Sequence, residues 1–179
     1  MRERGMDIKQ KIINWIKKEL KDSGAEGLVV GLSGGVDSSV VAVLAKEAAG
    51  EKNTLGLIMP CHSSLADFED ARSMAKKLGI KIRVVDLSEI FDRLVKILPR
   101  AGRIAMGNLK PRLRMMVLYY FANRLNYLVC GTGNKSELMM GYFTKYGDGG
   151  VDILPLGDLL KREVRMLAQD LGIPDSIIY

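Results

Sequence analysis

Residues 28–39 read LVVGLSGGVDSS, an apolar segment that runs into a Gly-rich turn and then into a helix start. Leu28 to Leu32 has the composition of a buried strand, whereas Asp37, Ser38 and Ser39 are residue types frequent at helix N-termini. A turn of this kind directs several backbone N–H groups and the positive end of the helix dipole at one point. The segment therefore predicts a strand–turn–helix unit that can seat a polyphosphate.

The side chains of this segment indicate a metal as well. The hydroxyls at positions 33, 38 and 39 can donate to phosphate oxygens, whereas the negative charge of the Asp37 carboxylate repels a phosphate. A carboxylate fits beside a phosphate when a divalent cation lies between the two, and Mg²⁺ is commonly held in this way. The alternative, a turn that only joins a strand to a helix, leaves Asp37 unexplained.

The composition is that of a globular protein with one core: 179 residues, 47% of them hydrophobic and 27% charged. The net charge of +6 suits anionic nucleotides, and no long Lys/Arg block indicates nucleic acid. No apolar stretch reaches membrane-spanning length and no signal peptide precedes the first helix, so we expect no membrane partner. Cys61 and Cys130 lie far apart without a CxxC motif, which favours free thiols in the cytoplasm over a disulfide or zinc site.

Short apolar segments alternate with helical patterns along the chain. The predicted strands are Leu28–Leu32, Leu55–Met59, Ile80–Val85 and Tyr127–Cys130, and the predicted helices are Met6–Lys21, Val40–Ala49, Leu65–Leu78, Ser88–Leu98, Leu109–Asn126, Asn134–Met140 and Asp158–Leu171. This alternation predicts an α/β fold with a doubly wound, mostly parallel sheet flanked by helices. Because ligands bind at the carboxyl ends of such strands, the Gly-rich loops after the first and fourth strands are expected to face one ligand.

The helix from Leu109 to Asn126 begins in a basic segment, GNLKPRLRM, where Pro111 is tolerated only in the first turn. Arg112 and Arg114 diverge by about 200° on a helix, so we expect one to meet a phosphate or carboxylate and the other a second subunit. A solvated basic helix start is the plainer interpretation. Apolar residues cover more than one face of the helix, which indicates either an isologous homodimer interface or a central core helix.

Two further segments carry polar groups suited to a site. In GTGNKSE, Asn134 can cap a helix and Glu137 can complete a capping box; alternatively, Glu137 is a second metal carboxylate. In GYFTKYGDGGVD, aromatic rings can stack on a ligand, Lys145 suits a phosphate, and Asp148 can accept a hydrogen bond from a ribose or an amide. A flexible surface loop is the alternative for this last segment.

SGGVDSS lacks the lysine of GxxxxGK[ST] and the spacing of GxGxxG, but it resembles the pyrophosphate loop of the ATP pyrophosphatases. With GNLKPRLRM, GTGNKSE, GYFTKYGDGGVDILPL and LKREV, the chain resembles the ammonia-dependent NAD synthetases from about Ile8 to Pro174. The resemblance implies a Rossmann-like ATP pyrophosphatase fold and a two-step reaction. Mg-ATP adenylates the carboxylate of nicotinic acid adenine dinucleotide (deamido-NAD), and ammonia then displaces AMP to give NAD.

The resemblance also implies roles at the ATP end of the site. The implied ATP-binding residues are Gly31, Ser33, Gly34, Gly35, Asp37, Ser38, Thr132 and Lys161. Thr132 would contact the adenine end, and Lys161 would steady phosphate charge during adenylation. Asp37 and Lys161 are thus the implied catalytic residues.

Asp37 and Glu137 would also hold Mg²⁺. At the other end of the site, Arg112 would lie at the dinucleotide, and Lys145 and Asp148 would hold its nicotinate half. No nucleophilic side chain is needed, because the substrate carboxylate attacks ATP. The single histidine, His62, is therefore interpreted as an ordinary loop residue.

Two features depart from the family pattern. The chain stops at Tyr179, where family members continue into a mobile segment and a terminal helix, and Pro111 stands where a small residue is usual. We expect a single ATP pyrophosphatase domain over residues 1–179 that lacks the C-terminal part, works as a homodimer and takes nitrogen from ammonia, since no glutaminase-like domain is present. The alternatives are another SGGxDS amidotransferase subunit of the GMP synthetase type and an ATP-binding fragment with little turnover.

Overall fold

The computed structural model describes residues 2–179, with side chains from residue 7 onward. Within that range the strands are β1 (Gly27–Gly31), β2 (Thr54–Ile58), β3 (Lys81–Val84) and β4 (Tyr127–Cys130). The helices are α1 (Arg2–Ser23), α2 (Val36–Ala49), α3 (Leu65–Leu78), α4 (Ser88–Ile97), α5 (Arg103–Gly107), α6 (Leu109–Leu125), α7 (Lys135–Met140), α8 (Lys161–Asp170) and α9 (Asp175–Ile178). None of these helices is both long enough and apolar enough to cross a bilayer.

The strands form one parallel sheet in the order β3-β2-β1-β4. In this register Val29 lies opposite Leu55 on one side and opposite Val129 on the other. Parallel neighbours need a crossover, and each crossover here contains at least one helix. The sheet is therefore doubly wound and flanked by helices, and the predicted α/β fold class is confirmed.

Two hydrophobic cores lie on the two faces of the sheet, because successive residues of β1 point to opposite sides. Leu28 and Val30 pack with residues of α1, α2, α3 and α8 in the first core. Val29 packs in the second core with Ala122 and with partly buried side chains of α6. On this second face Met116 is 63% exposed and Tyr120 60%, so α6 is not a central core helix within the single chain.

The crevice at the carboxyl ends of β1 and β4 is where the chain reverses its direction of winding. β1 leads through α2, on the first face, to β2, whereas β4 is reached through α6, on the second face. In open α/β sheets, ligands bind at such a switch point. The loops that follow β1 and β4 meet there, as the sequence predicts.

Most predicted boundaries agree with the structure to within a few residues, and Leu65–Leu78 and Tyr127–Cys130 agree at both ends. The last long helix begins at Lys161 and not at Asp158, because the Glu163 carboxylate accepts a hydrogen bond from the Leu160 N–H at 2.7 Å and fixes the start there. The sequence does not predict α5 and α9, since helices of five and four residues are too short to display an apolar period.

Candidate active site

The turn between β1 and α2 depends on a close approach of two backbone segments. Gly34 has a φ of 85°, and a Cβ there would lie 2.5 Å from the carbonyl oxygen of Asp67, so only glycine fits. The Ser33 and Ser38 hydroxyls lie 3.0 Å apart, and Ser38 Oγ donates to the Gly35 carbonyl at 2.9 Å. The turn thus gathers two hydroxyls beside the first turn of α2, a geometry suited to a phosphate group.

Asp37, in the first turn of α2, is held by groups from two other helix starts. Its Oδ1 accepts a hydrogen bond from Asn134 Nδ2 at 3.1 Å, and its Oδ2 forms an ion pair with Lys161 Nζ. Lys161 is the first residue of α8, and its backbone N–H donates to Ser136 Oγ of α7 at 3.0 Å. The N-termini of α2, α7 and α8 therefore converge on one carboxylate, and the predicted pair Asp37 and Lys161 lies together.

Glu137 completes a capping box with Asn134. Its Oε2 accepts from the Asn134 N–H and its own N–H donates to Asn134 Oδ1, both at 3.1 Å. The capping interpretation of Glu137 is therefore confirmed. Because Asn134 also contacts Asp37, the two predicted metal carboxylates, Asp37 and Glu137, bond to the same residue.

A cavity of about 490 Å³ opens beside the phosphate turn at the carboxyl ends of β1, β2 and β4. Its walls include Gly31, Ser33, Thr132, Asp148 and the guanidinium-bearing Arg114. A cavity of this size is in the range of small-molecule sites. The predicted ATP-binding residues at 31, 33 and 132 and the predicted substrate residue at 148 thus face one space.

Arg112 and Arg114 reach different partners, as their spacing on a helix predicts. Arg114 Nε donates to the Met59 carbonyl at 3.0 Å and its Nη2 lies 3.4 Å from Ser63 Oγ, so it ties α6 to the loop after β2. Arg112 Nε donates to the Lys145 carbonyl at 3.3 Å. Arg114 is thus partly buried and bonded to the loop after β2, whereas Arg112 is exposed and makes a hydrogen bond to Lys145.

The segment from Gly141 to Asp152 forms hydrogen-bonded turns against the start of α6. Thr144 N–H donates to Asp148 Oδ1, and Thr144 Oγ1 lies within hydrogen-bond distance of Asn108 Oδ1, both at 2.9 Å. A Cβ on Gly147 would lie 3.1 Å from Pro111, the residue that departs from the family pattern. Asp148 therefore organises the loop with one oxygen while it faces the cavity.

The side chains of Lys145 and its aromatic neighbours lie at the surface. Lys145 Nζ is 5.1 Å from the centre of the Tyr146 ring. Tyr142 and Tyr146 are 79% and 67% exposed, and Phe143 is 44% exposed. The rings that the sequence offers for stacking are thus accessible, but they do not line the cavity.

His62 bonds residues of α4, and the two cysteines are buried in the core. His62 Nε2 bonds Asp92 Oδ1 at 2.8 Å and its N–H donates to Ser88 Oγ at 3.1 Å, which ties the loop after β2 to α4. Cys61 and Cys130 are buried free thiols, and burial raises the pKa of each. His62 does not bond Cys61, so these groups do not form a nucleophile–base pair.

Two contacts of the site have no signal in the sequence. Asn134 and Asp37 are 97 positions apart, and a capping asparagine gives no sign of a second partner. Arg114 and Met59 are 55 positions apart and meet only because α6 crosses the end of β2. Only the sheet order, which brings β1, β2 and β4 together, places these residues side by side.

Comparisons with known proteins agree with this geometry. The family model described as NAD synthase matches residues 8–179. The NH(3)-dependent NAD(+) synthetase of Carboxydothermus hydrogenoformans is 53% identical over 174 residues, which cover 94% of this chain and 71% of that protein. The protein of the same description from Pyrobaculum aerophilum is 51% identical over 168 residues, covering 92% of this chain and 63% of that protein.

Solved structures give the same result. The NH3-dependent NAD synthetase of Campylobacter jejuni superposes with a TM-score of 0.93 at 37% identity, covering 97% of this chain and 76% of that chain. The NMN synthetase of Francisella tularensis superposes with a TM-score of 0.92 at 38% identity, covering 97% and 73%. The matched residues run through the turn after β1, the capping box and the segment from Gly141 to Asp152, and the chain belongs to the NAD synthase family.

Proposed function

We propose that the protein converts deamido-NAD to NAD with ATP and ammonia. The observation that carries this proposal is the phosphate turn after β1, beside a carboxylate that Lys161 and Asn134 hold at three converging helix starts. Family membership and the description of the curated relatives as NH(3)-dependent NAD(+) synthetases support the same reaction.

In the first step, the turn and the N-terminus of α2 bind the β and γ phosphates as a unit, which leaves the α phosphorus open to attack. An oxygen of the substrate carboxylate attacks that phosphorus, and the bond to pyrophosphate breaks. Lys161, which lies beside the turn through its pairing with Asp37, neutralises charge on the leaving pyrophosphate. The products are an acyl adenylate and pyrophosphate.

In the second step, ammonia attacks the carbonyl carbon of the acyl adenylate. The carbon–oxygen bond to AMP breaks, AMP leaves with its negative charge, and the new amide loses one proton to solvent. No covalent enzyme intermediate is required. This agrees with the burial and the raised pKa of Cys61 and Cys130, which do not act as nucleophiles.

The carboxylates near the turn fit a magnesium ion. In the structure Oδ1 and Oδ2 of Asp37 each accept one donor, and Oε2 of Glu137 accepts one, so lone pairs remain for a cation. Asp37 and Glu137 would hold Mg²⁺, which supplies neutralisation of phosphate charge when bound. No group of three or more His, Cys, Asp or Glu side chains gathers among residues 7–179, so phosphate oxygens and water would complete the coordination.

For the substrates, Thr132 would contact the adenine end of ATP, since it lines the cavity. Asp148 lines the same cavity, and Arg112 and Lys145 meet beside it, so these three would bind deamido-NAD. Through its hydrogen bond to the Lys145 carbonyl, Arg112 would also act on the substrate by positioning Lys145.

A second candidate substrate is the corresponding mononucleotide. The Francisella tularensis neighbour is an NMN synthetase and is as similar to this chain as the Campylobacter jejuni NAD synthetase is. Amidation of nicotinate mononucleotide to NMN would use the same adenylation chemistry. A parallel assay of the mononucleotide and the dinucleotide separates the two, and we expect the dinucleotide to give the higher kcat/KM.

We further propose an isologous homodimer formed through the second face of the sheet. Ile97, Ile104, Met116 and Tyr120 are between 60% and 81% exposed on α4, α5 and α6. Light scattering at micromolar concentration should give twice the chain mass. Met116→Glu should give the monomer mass and Asn14→Glu, on the exposed side of α1, should not; a monomeric unmodified chain would contradict the dimer. The two buried free thiols support a reducing cytoplasmic location.

The reaction is tested by supplying deamido-NAD, Mg-ATP and ammonium to the purified chain. The expected products are NAD, AMP and pyrophosphate, while glutamine in place of ammonium should give no NAD. ADP and orthophosphate as products would contradict the proposal. AMP without NAD would show that the chain adenylates its substrate but does not complete amide transfer.

A further inference from the structure

Asn134 is the most deeply buried polar side chain of the site, with none of its surface exposed. A buried amide is costly unless its donor and acceptor are both satisfied. Here Oδ1 accepts from the Glu137 N–H and Nδ2 donates to Asp37 Oδ1, each at 3.1 Å. The backbone N–H of the same residue donates to Glu137 Oε2 at 3.1 Å.

The cap alone does not require an asparagine. Serine, threonine and aspartate accept the N3 N–H about as well at an N-cap. What those residues lack is a donor on a second side-chain atom, separate from the oxygen that caps the helix. The contact that distinguishes asparagine at position 134 is therefore the one to Asp37.

We propose that Asn134 is a positioning residue for adenylation, which fixes the two carboxylates of Asp37 and Glu137 relative to each other. Its side-chain Nδ2 donates to the Asp37 carboxylate and its backbone N–H donates to the Glu137 carboxylate. One residue therefore fixes the positions of both carboxylates. With Oδ1 held by Asn134 and Oδ2 by Lys161, the Asp37 carboxylate cannot rotate freely. This inference rests on the proposed function, in which these carboxylates receive the metal of Mg-ATP.

A residue that orients a metal carboxylate changes metal affinity and rate without touching the substrate. Asn134→Ser keeps an acceptor for the cap but removes Nδ2, the atom that reaches Asp37, because the shorter side chain has a single polar atom. We expect it to weaken binding of Mn²⁺-ATP and to lower kcat for AMP formation by about tenfold to a hundredfold each. The KM for deamido-NAD should change by less than about threefold, since Asn134 does not line the cavity.

The binding measurement is a calorimetric titration of the purified chain with Mn²⁺-ATP, which does not depend on turnover. Its control is Asn134→Ala, which removes the cap as well and should lower Tm further than Asn134→Ser without weakening Mn²⁺-ATP binding much more. A double-mutant cycle with Asp37→Asn isolates the contact, because Asn134→Ser should cause little further loss of kcat when the Asp37 carboxylate is already absent. If Asn134→Ser does not fold, Asn134→Asp keeps the cap but replaces the donor with a second negative charge beside Asp37, and an unchanged kcat in that variant would overturn the proposal.

Unchanged Mn²⁺-ATP affinity and unchanged kcat in a folded Asn134→Ser protein would overturn the proposal. The same fold-loss of kcat from Asn134→Ser in the original chain and in the Asp37→Asn variant would overturn it as well, since the residue would then act through the fold alone. A failure of the proposed reaction is distinguishable from a failure of this inference. If the reaction is wrong, the unmodified chain makes no AMP from deamido-NAD. The Mn²⁺-ATP titration would still show whether Asn134→Ser binds Mn²⁺-ATP more weakly than the unmodified chain does.

Discussion

Helices α2 and α6 pack on opposite faces of the same strand, β1, but the rest of the chain buries many more residues of α2 than of α6. Most of the 14 residues of α2 are buried, because α1, α3 and α8 lie over it. Of the 17 residues of α6, Ala122 alone is buried, and Met116 and Tyr120 point to solvent. On the first face, α2 is covered within one chain, whereas the second face carries exposed apolar side chains of α6.

The starts of the two helices differ in the same way. The start of α2 is bound to other helices, through Asp37 to Asn134 and Lys161. The start of α6 is bound to loops, through Arg112 to Lys145 and through Asn108 to Thr144. The start of α2 thus brings together charged and polar groups from three helix starts, whereas the start of α6 positions residues at the wall of the cavity.

The largest effect is expected at the start of α2. Asp37→Asn should lower kcat for AMP formation by about 10³-fold, because it removes the carboxylate that pairs with Lys161 and that we propose binds Mg²⁺. Glu47→Gln, on the same helix and paired with Lys9 at 2.8 Å, is the matched control and should keep full turnover. Steady-state kinetics with thermal melts of both proteins checks this. Normal turnover in folded Asp37→Asn would remove Asp37 from the mechanism.

The difference in burial between α2 and α6 predicts the next effect, which is on the free energy of unfolding. Leu44→Ala in α2 should lower the free energy of unfolding by about 3 kcal/mol, because Leu44 is wholly buried and its loss leaves a cavity. Met116→Ala in α6 should change the free energy of unfolding of the monomer by less than about 0.5 kcal/mol. Urea titrations at low protein concentration measure both. Equal losses at the two sites would show that the second face is not open in the single chain.

At the start of α6 we expect an effect on substrate affinity more than on rate. Arg112→Ala removes the hydrogen bond to the Lys145 carbonyl and should raise the KM for deamido-NAD by about tenfold, with little change in kcat or in the KM for ATP. Arg124→Ala, in the last turn of the same helix, is the control. A fall in kcat with unchanged KM would move Arg112 from substrate binding to the chemical step.

The smallest effect concerns the contact between α6 and the edge of the sheet. Tyr119 donates to Asp152 Oδ1 at 2.9 Å, and burial together with this bond raises the pKa of Tyr119 to about 12. Tyr119→Phe should cost about 1 kcal/mol of stability at neutral pH.

The stability that this hydrogen bond contributes should fall as the pH rises. A raised pKa means that the folded state keeps the phenol proton after the unfolded chain has lost it, so the contribution is present below pH 10.0 and is lost as pH rises toward about 12. The difference in stability between the original chain and Tyr119→Phe should therefore shrink over that interval. Urea titrations from neutral to alkaline pH measure it, and a difference that stays constant would contradict the assigned pKa.

Much of the fold can be predicted from the sequence because its signals are local. Apolar strands, Gly79 after α3 and the residues at the start of α2 each act within a few positions. The prediction that the loops after β1 and β4 face one ligand also needed only the parallel class of sheet. The short helices α5 and α9 carried no such signal.

The sequence predicts several residues that the structure places around one cavity, but it does not predict the contacts between them. The sequence allows Glu137 to be either a cap or a metal carboxylate; the structure confirms the cap, and the metal role stays a proposal. The bonds of Asn134 to Asp37 and of Arg114 to Met59 join positions far apart in sequence. Such contacts follow from the order of the strands, which no local pattern contains.

The central claim is that the turn after β1 holds the β and γ phosphates so that the substrate carboxylate attacks the α phosphorus. The most direct test uses deamido-NAD with isotopically labelled carboxylate oxygens, together with Mg-ATP and ammonium. Attack by the carboxylate predicts that one labelled oxygen appears in AMP and none in pyrophosphate, as read by mass spectrometry of both products. Label in a phosphate product other than AMP, or unlabelled AMP alongside newly formed NAD, would contradict the account.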